Sequence, residues 1–129
     1  MSARLGILVT GLSLFSFGVQ VAAHHSWTVE YDANKAVTVK GVVTKVEWTN
    51  PHTHIYVDSP DEKGVVTSWN FEMASTLALE RGGWSRRSLK VGEQVTIGGF
   101  GGRAVLTRAI ASTIKVGDGR ELFVATPGN

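Results

Sequence analysis

From Ala36 to Ala125 the chain is a succession of short runs rich in Val, Thr and Ile, each closed by turn residues, and only one window carries a helical period. The run Ala36 to Trp48 holds Val37, Val39, Val43, Val46 and Trp48 without a proline, the make-up of a pleated, half-buried strand. Gly41 in its middle predicts a bulge or bend that lets one long strand serve two sides of a small sheet. Pro51 ends it, since it cannot donate to a ladder and restrains Asn50. His52 to Asp58 then alternates, Ser59 to Gly64 is a polar turn, and Val65 to Glu72 resumes the strand pattern. Met73 to Arg81 is the helical window, with Leu77 and Leu79 to bury, Ser75 or Thr76 as cap, and Gly82-Gly83 as stop.

Gln94 to Ile97 reads as a fourth strand and Ala104 to Val116 as a fifth, and Asp118-Gly119 turns into a short edge at Glu121 to Ala125. The glycine-rich Gly98 to Arg103 is expected to be a flexible hairpin loop. A phosphate loop is excluded, because no helix follows and the Gly-Lys-Ser/Thr ending is missing. Three strands, a helix, then two or three strands predict a mainly β domain, a small OB-like five-stranded barrel with one helix between strands 3 and 4. The alternative is an α+β antiparallel sheet with one helix.

The first 23 residues read as a secretory signal peptide. Arg4 gives the positive start, Leu5 to Val19 an apolar run too short for a membrane span, and Val21-x-Ala23 the small-residue cleavage pattern. The expected organisation is therefore residues 1–23 as signal peptide, 24–35 as an N-terminal arm and 36–129 as the OB-like domain. Within the arm, Asp32 to Lys35 is expected to turn, and Trp27 and Tyr31 are the aromatic anchors.

Export places the protein in the periplasm or outside the cell, yet the chain has no cysteine. Stability must come from packing, and no thiolate is available for metal or catalysis. Removing Arg4 leaves 12 basic against 11 acidic residues, a mature charge of +1. That excludes a nucleic-acid footprint, which needs a strongly basic face. Arg81, Arg86 and Arg87 form the densest basic patch, read as a solvated helix end.

Four histidines make two pairs, His24-His25 and His52-x-His54. Cleavage after Ala23 would make His24 the first residue, with its α-amine and ring as a ready chelate and His25 behind it. An α-amine titrates near about 7.7–8.0, so the proton competes modestly at neutral pH. His52 and His54 share a strand face, because side chains repeat every second residue. Nitrogen-rich sites suit copper first, with zinc possible.

In-register pairing of 52–58 with 66–72 sets His52 opposite Glu72 and His54 opposite Asn70, and Ile55, Val57, Trp69 and Phe71 on the buried face. Glu72 is then a further ligand, or with Asn70 an acceptor that fixes an imidazole tautomer. Asp32 and Tyr31 are weaker members of the same shell. No catalytic residues emerge: there is no nucleophile elbow, and the carboxylates are scattered.

The mature start His24-His25-Ser26-Trp27 with Tyr31-Asp32, the strand Gly41-x-Val43 running into Trp48-x-Asn50-Pro51-His52, Glu72 before the helix, Leu79-x-Arg81-x-Gly83-Trp84 and Leu89-Lys90-x-Gly92-Glu93-x-Val95 resemble an uncharacterised family of short exported proteobacterial proteins. The resemblance runs over the whole mature chain. It implies export and a compact β-rich domain, and it supplies no activity. His24, His25, Asn50, Pro51 and His52 match its pattern; Trp27 stands where it has phenylalanine.

The expected function is a periplasmic copper-binding protein built on His24, His25, His52 and His54 with Glu72 beside them, and not an enzyme. Its partners are a metal ion and another periplasmic protein, with no nucleic acid and no membrane after cleavage. A metal-free OB-type module for an oligosaccharide, peptide or partner protein is the alternative, and an oxidative copper enzyme a third.

Overall fold

The computed structural model describes residues 27–126. A 3-10 turn at Trp27–Val29 leads into β1 (Tyr31–Glu47), followed by β2 (His54–Pro60), β3 (Val66–Glu72), α1 (Thr76–Arg81), β4 (Gln94–Gly102), β5 (Arg108–Val116) and β6 (Glu121–Leu122). The fold is mainly β with one short helix. All strands belong to one sheet in the order β3-β2-β1-β4-β5-β6, and β3 also pairs in parallel with β5 through Asn70↔Arg108, Phe71↔Ala109 and Glu72↔Ile110. That added pairing closes the first five strands into a ring.

The long β1 serves both neighbours, pairing with β4 from Tyr31 to Val42 and with β2 from Val42 to Glu47. Gly41 sits where the two ladders meet. A Cβ there would lie 2.2 Å from the Asp58 carbonyl oxygen and 2.7 Å from Val57 Cγ1, so only glycine permits the approach. The register slips just beyond it, between Val43 and Lys45.

Three boundaries differ from the sequence expectation. Tyr31 to Lys35 belong to β1: the ladder steps from Tyr31↔Gly102 to Ala36↔Phe100, so the expected turn is an irregularity inside the strand, with Asp32 Oδ1 accepting from the Asn34 amide. The glycine run lies within β4 and the turn follows it, so β5 begins at Arg108. The glycines are there for closeness, since a Cβ on Gly99 would meet the Ile110 carbonyl oxygen at 2.0 Å. The helix begins at Thr76, because Met73 and Ala74 still bond as extended chain to Thr53 and Ala125.

Ser75 caps α1 by accepting from the Ala78 amide, and Gly82 closes it. Leu79 is fully buried, but Leu77 is 54% exposed, contrary to expectation. Two residues of helix turn the side chain by about 200°, so a single short helix cannot bury both.

Val43, Ile55, Val57, Phe71, Met73, Ile97, Ala109 and Ala111 fill the ring beside Leu79, all without exposed surface. Trp84 folds back as expected, stacking on Trp48 and donating Nε1–H to the Phe123 carbonyl. Trp69, expected in the core, is half-buried against Phe71. Among the described residues, the hydrophobic cluster and its packed neighbours run from Val37 to Ala125.

Candidate functional site

Glu72 ends β3 on the face opposite Phe71, where alternation alone puts a carboxylate in water. The start of β1 covers that face, and Glu72 is 5% exposed. A buried carboxylate is tolerated only with partners. Glu72 has three: the Tyr31 hydroxyl donates to Oε2, Arg108 Nη2 donates to the same oxygen at 2.9 Å, and His52 Nδ1 lies 2.5 Å from Oε1. Arg108 also stands 3.7 Å from Glu30 and 5.8 Å from the centre of the Tyr31 ring. Burial, and then the bond to Glu72, pushes the Tyr31 phenol well above its ordinary range, so it stays a donor.

The β2–β3 hairpin is offset by two residues from the expected register. His54, not His52, is opposite Glu72, and Tyr56 is opposite Asn70. A slip of two leaves every face unchanged, because the strand period is two. Ile55, Val57 and Phe71 point into the core, while His52, His54, Tyr56, Asn70 and Glu72 share the other side. The side chains meet the expected partners, but diagonally and not from opposite positions: His52 reaches Glu72, and His54 Nδ1 meets Asn70 Oδ1 at 2.9 Å. On the other flank β1 sets Glu47 opposite His54.

A carboxylate and an amide oxygen only accept, so each neutral imidazole carries its proton on Nδ1 and presents a bare lone pair at Nε2. Among the described residues neither Nε2 has a hydrogen-bond partner.

The structure thus brings His52, His54 and Glu72 onto one wall. His24 and His25 lie outside the described residues. Among the described residues no three His, Asp or Glu side chains converge on a metal position. Asp32 turns away toward Arg103 at 3.6 Å, whereas Tyr31 joins the Glu72 cluster. A cleft of about 270 Å³ opens beside it, lined by Glu30, Tyr31, Gly102, Arg103, Val105 and Arg108 among others.

Arg108 was invisible to sequence reasoning. It read as one residue of a strand beginning at Ala104, and only the long-range β3–β5 pairing carries it to Glu72. No local pattern signals such a partner.

The chain belongs to a family of unknown function (DUF6152), whose model matches residues 12–110. No curated protein and no solved structure matches it.

Proposed function

We propose that this member of the family is an exported metal-binding domain that holds Cu(II) between a processed N-terminal histidine and the His52–His54 wall. The strand ring is read as an OB-type barrel, the first 23 residues as a cleaved signal peptide and the compartment as the periplasm or the exterior. The observation that carries the reading is the pair of imidazoles held at Nδ1 by Glu72 and Asn70, with neither Nε2 bonded among the described residues. Ligating histidines in metal sites are held in this way, the second nitrogen bonded to a carboxylate or carbonyl that fixes ring and tautomer.

Two imidazoles do not complete a coordination shell, and no third described side chain joins them. His24 and His25 are the candidates. Tyr31 is fastened to the same Glu72, and His24 precedes it by seven residues, at most about 25 Å of extended chain. The α-amine and ring of His24, the ring of His25 and one or both wall imidazoles make a nitrogen set that favours copper over zinc. Glu72, with both oxygens engaged by Tyr31, Arg108 and His52, serves as the acceptor that orients His52. This is a carrier or accessory role, without a catalytic residue.

The test is Cu(II) binding followed by electron paramagnetic resonance in wild type, His52→Ala and His54→Ala. A changed nitrogen hyperfine pattern, with fewer coupled nitrogens, and at least about tenfold weaker binding in one or both variants is expected. Spectra and affinity unchanged in both would exclude the wall. The cleft beside Tyr31 and Arg108 favours a second reading, a metal-free module for a small ligand, which predicts ligand binding that survives chelator treatment.

A further inference from the structure

Positive charge is concentrated on one surface that the metal reading does not use. Residues 80–90 hold Arg81, Arg86, Arg87 and Lys90 against Glu80 alone, a net of 4 − 1 = +3, whereas the whole chain carries +2 and the remainder therefore 2 − 3 = −1. All four side chains are exposed. None has an ion-pair partner among the described residues; Lys35, Lys40 and Lys63 also lack one but stand singly along the chain.

The surface is built on a firm turn. Trp84 is 5% exposed on Trp48, Ser85 Oγ accepts from the Arg87 amide, and the Ser85 amide donates to Ser88 Oγ. A groove of about 540 Å³ runs between the tryptophan edges and Arg86 and Arg87, with Glu80 on its rim. Three apolar side chains stand out from the same region: Leu77, one helical turn before Arg81, Val91, and Phe123, whose ring lies against Gly82.

We infer that this face docks reversibly on an anionic phospholipid surface. Arginines pair with phosphate oxygens bidentately, and isolated apolar side chains among cations suit the headgroup boundary. A partner protein is the other occupant, since arginine and the exposed Phe123 are both anchor types, and it would leave the vesicles unbound. A nucleic acid would need a longer basic footprint. No described helix is long and apolar enough to span a bilayer, and none is required for surface contact. The sequence reading expected no membrane partner after cleavage; this peripheral, salt-dependent contact departs from that expectation.

The experiment uses the chain from His24 to Asn129, checked as folded by circular dichroism and held in a metal chelator, so that failure of the metal reading leaves the result untouched. It is sedimented with vesicles of phosphatidylcholine alone and with phosphatidylglycerol added. Binding is expected only to the anionic vesicles, weakened by high salt, and reduced roughly thirtyfold in Arg86→Gln/Arg87→Gln at about fivefold per cation. Lys40→Gln/Lys63→Gln, two cations outside this face, should bind like wild type. Equal binding to both vesicle types, no binding to either, or full binding by the arginine variant would overturn the proposal. So would retention on soluble heparin without vesicle binding, which would mark a site for a dissolved polyanion.

Discussion

The Tyr31 hydroxyl donates to the carboxylate of Glu72 across 41 residues of sequence, joining the start of β1 to the end of β3 inside the protein. Both residues are buried, so neither can fall back on water. Tyr31→Phe removes the donor and leaves Arg108 and His52 to hold the charge. The expected cost is about 1.5–3 kcal/mol, the usual worth of a hydrogen bond to an ionised group, read from urea unfolding. A loss below about 0.5 kcal/mol, the scatter of surface changes, would mean the bond does not hold this wall together.

The same bond sets an alkaline limit. Burial and the Glu72 acceptor raise the folded-state pKa of Tyr31 above its unfolded value. A group raised on folding contributes stability in full below its unfolded pKa, about 10 for tyrosine, and loses it as pH rises toward the folded value. Stability should therefore fall above about pH 10, by up to about 1.4 kcal/mol per pH unit from this residue. Tyr56 is also raised, by desolvation and then by its bond to Glu47, but it is nearer the surface. Tyr31→Phe should flatten the alkaline slope far more than Tyr56→Phe; matching slopes in the two variants would contradict the account.

Leu77 and Leu79 offer a paired test of the helix. Leu79→Ala should cost about 2–5 kcal/mol by opening a cavity in the core. Leu77→Ala should change stability by less than about 0.5 kcal/mol, as surface substitutions do. Thermal or urea melts decide it, and comparable losses would place both leucines inward.

Much of the fold was legible because strand alternation survives small errors. The hairpin register is wrong by two residues, yet each histidine still lies on the expected face and reaches the expected partner, because a two-residue slip preserves a period of two. Gly41 was readable as a bend for the same local reason. The glycine run was not, since Gly98 to Gly102 look alike whether they form a loop or let two backbones approach; only the Ile110 carbonyl facing Gly99 tells them apart. Arg108 and the burial of Glu72 depend on the parallel β3–β5 pairing and on the start of β1 lying over it, contacts between distant segments that periodicity does not encode.

Gly99 therefore tests the close approach directly. Gly99→Ala places a methyl group 2.0 Å from a backbone oxygen that cannot rotate away. The expected loss reaches or exceeds the usual overpacking range of about 1–3 kcal/mol. Wild-type stability in this variant would show that β4 and β5 are farther apart there.

Asn70 distinguishes an oriented imidazole from a merely exposed one. Asn70→Ala frees His54 Nδ1 without touching Nε2. Removing such an outer partner should weaken Cu(II) binding by about 10- to 100-fold with little change in stability. Competition against a chelator of known affinity measures it, and an unchanged affinity would leave His54 outside the metal site.

The central claim is the terminal chelate, and native mass spectrometry of the exported protein tests it in one spectrum, comparing wild type with a form carrying one extra glycine before His24. The account predicts a first residue of His24, one bound copper ion in the wild type, and copper lost or at least about tenfold more weakly held in the extended form, since moving the α-amine off His24 breaks the chelate. A chain that begins elsewhere, or equal copper retention with and without the extension, would contradict it.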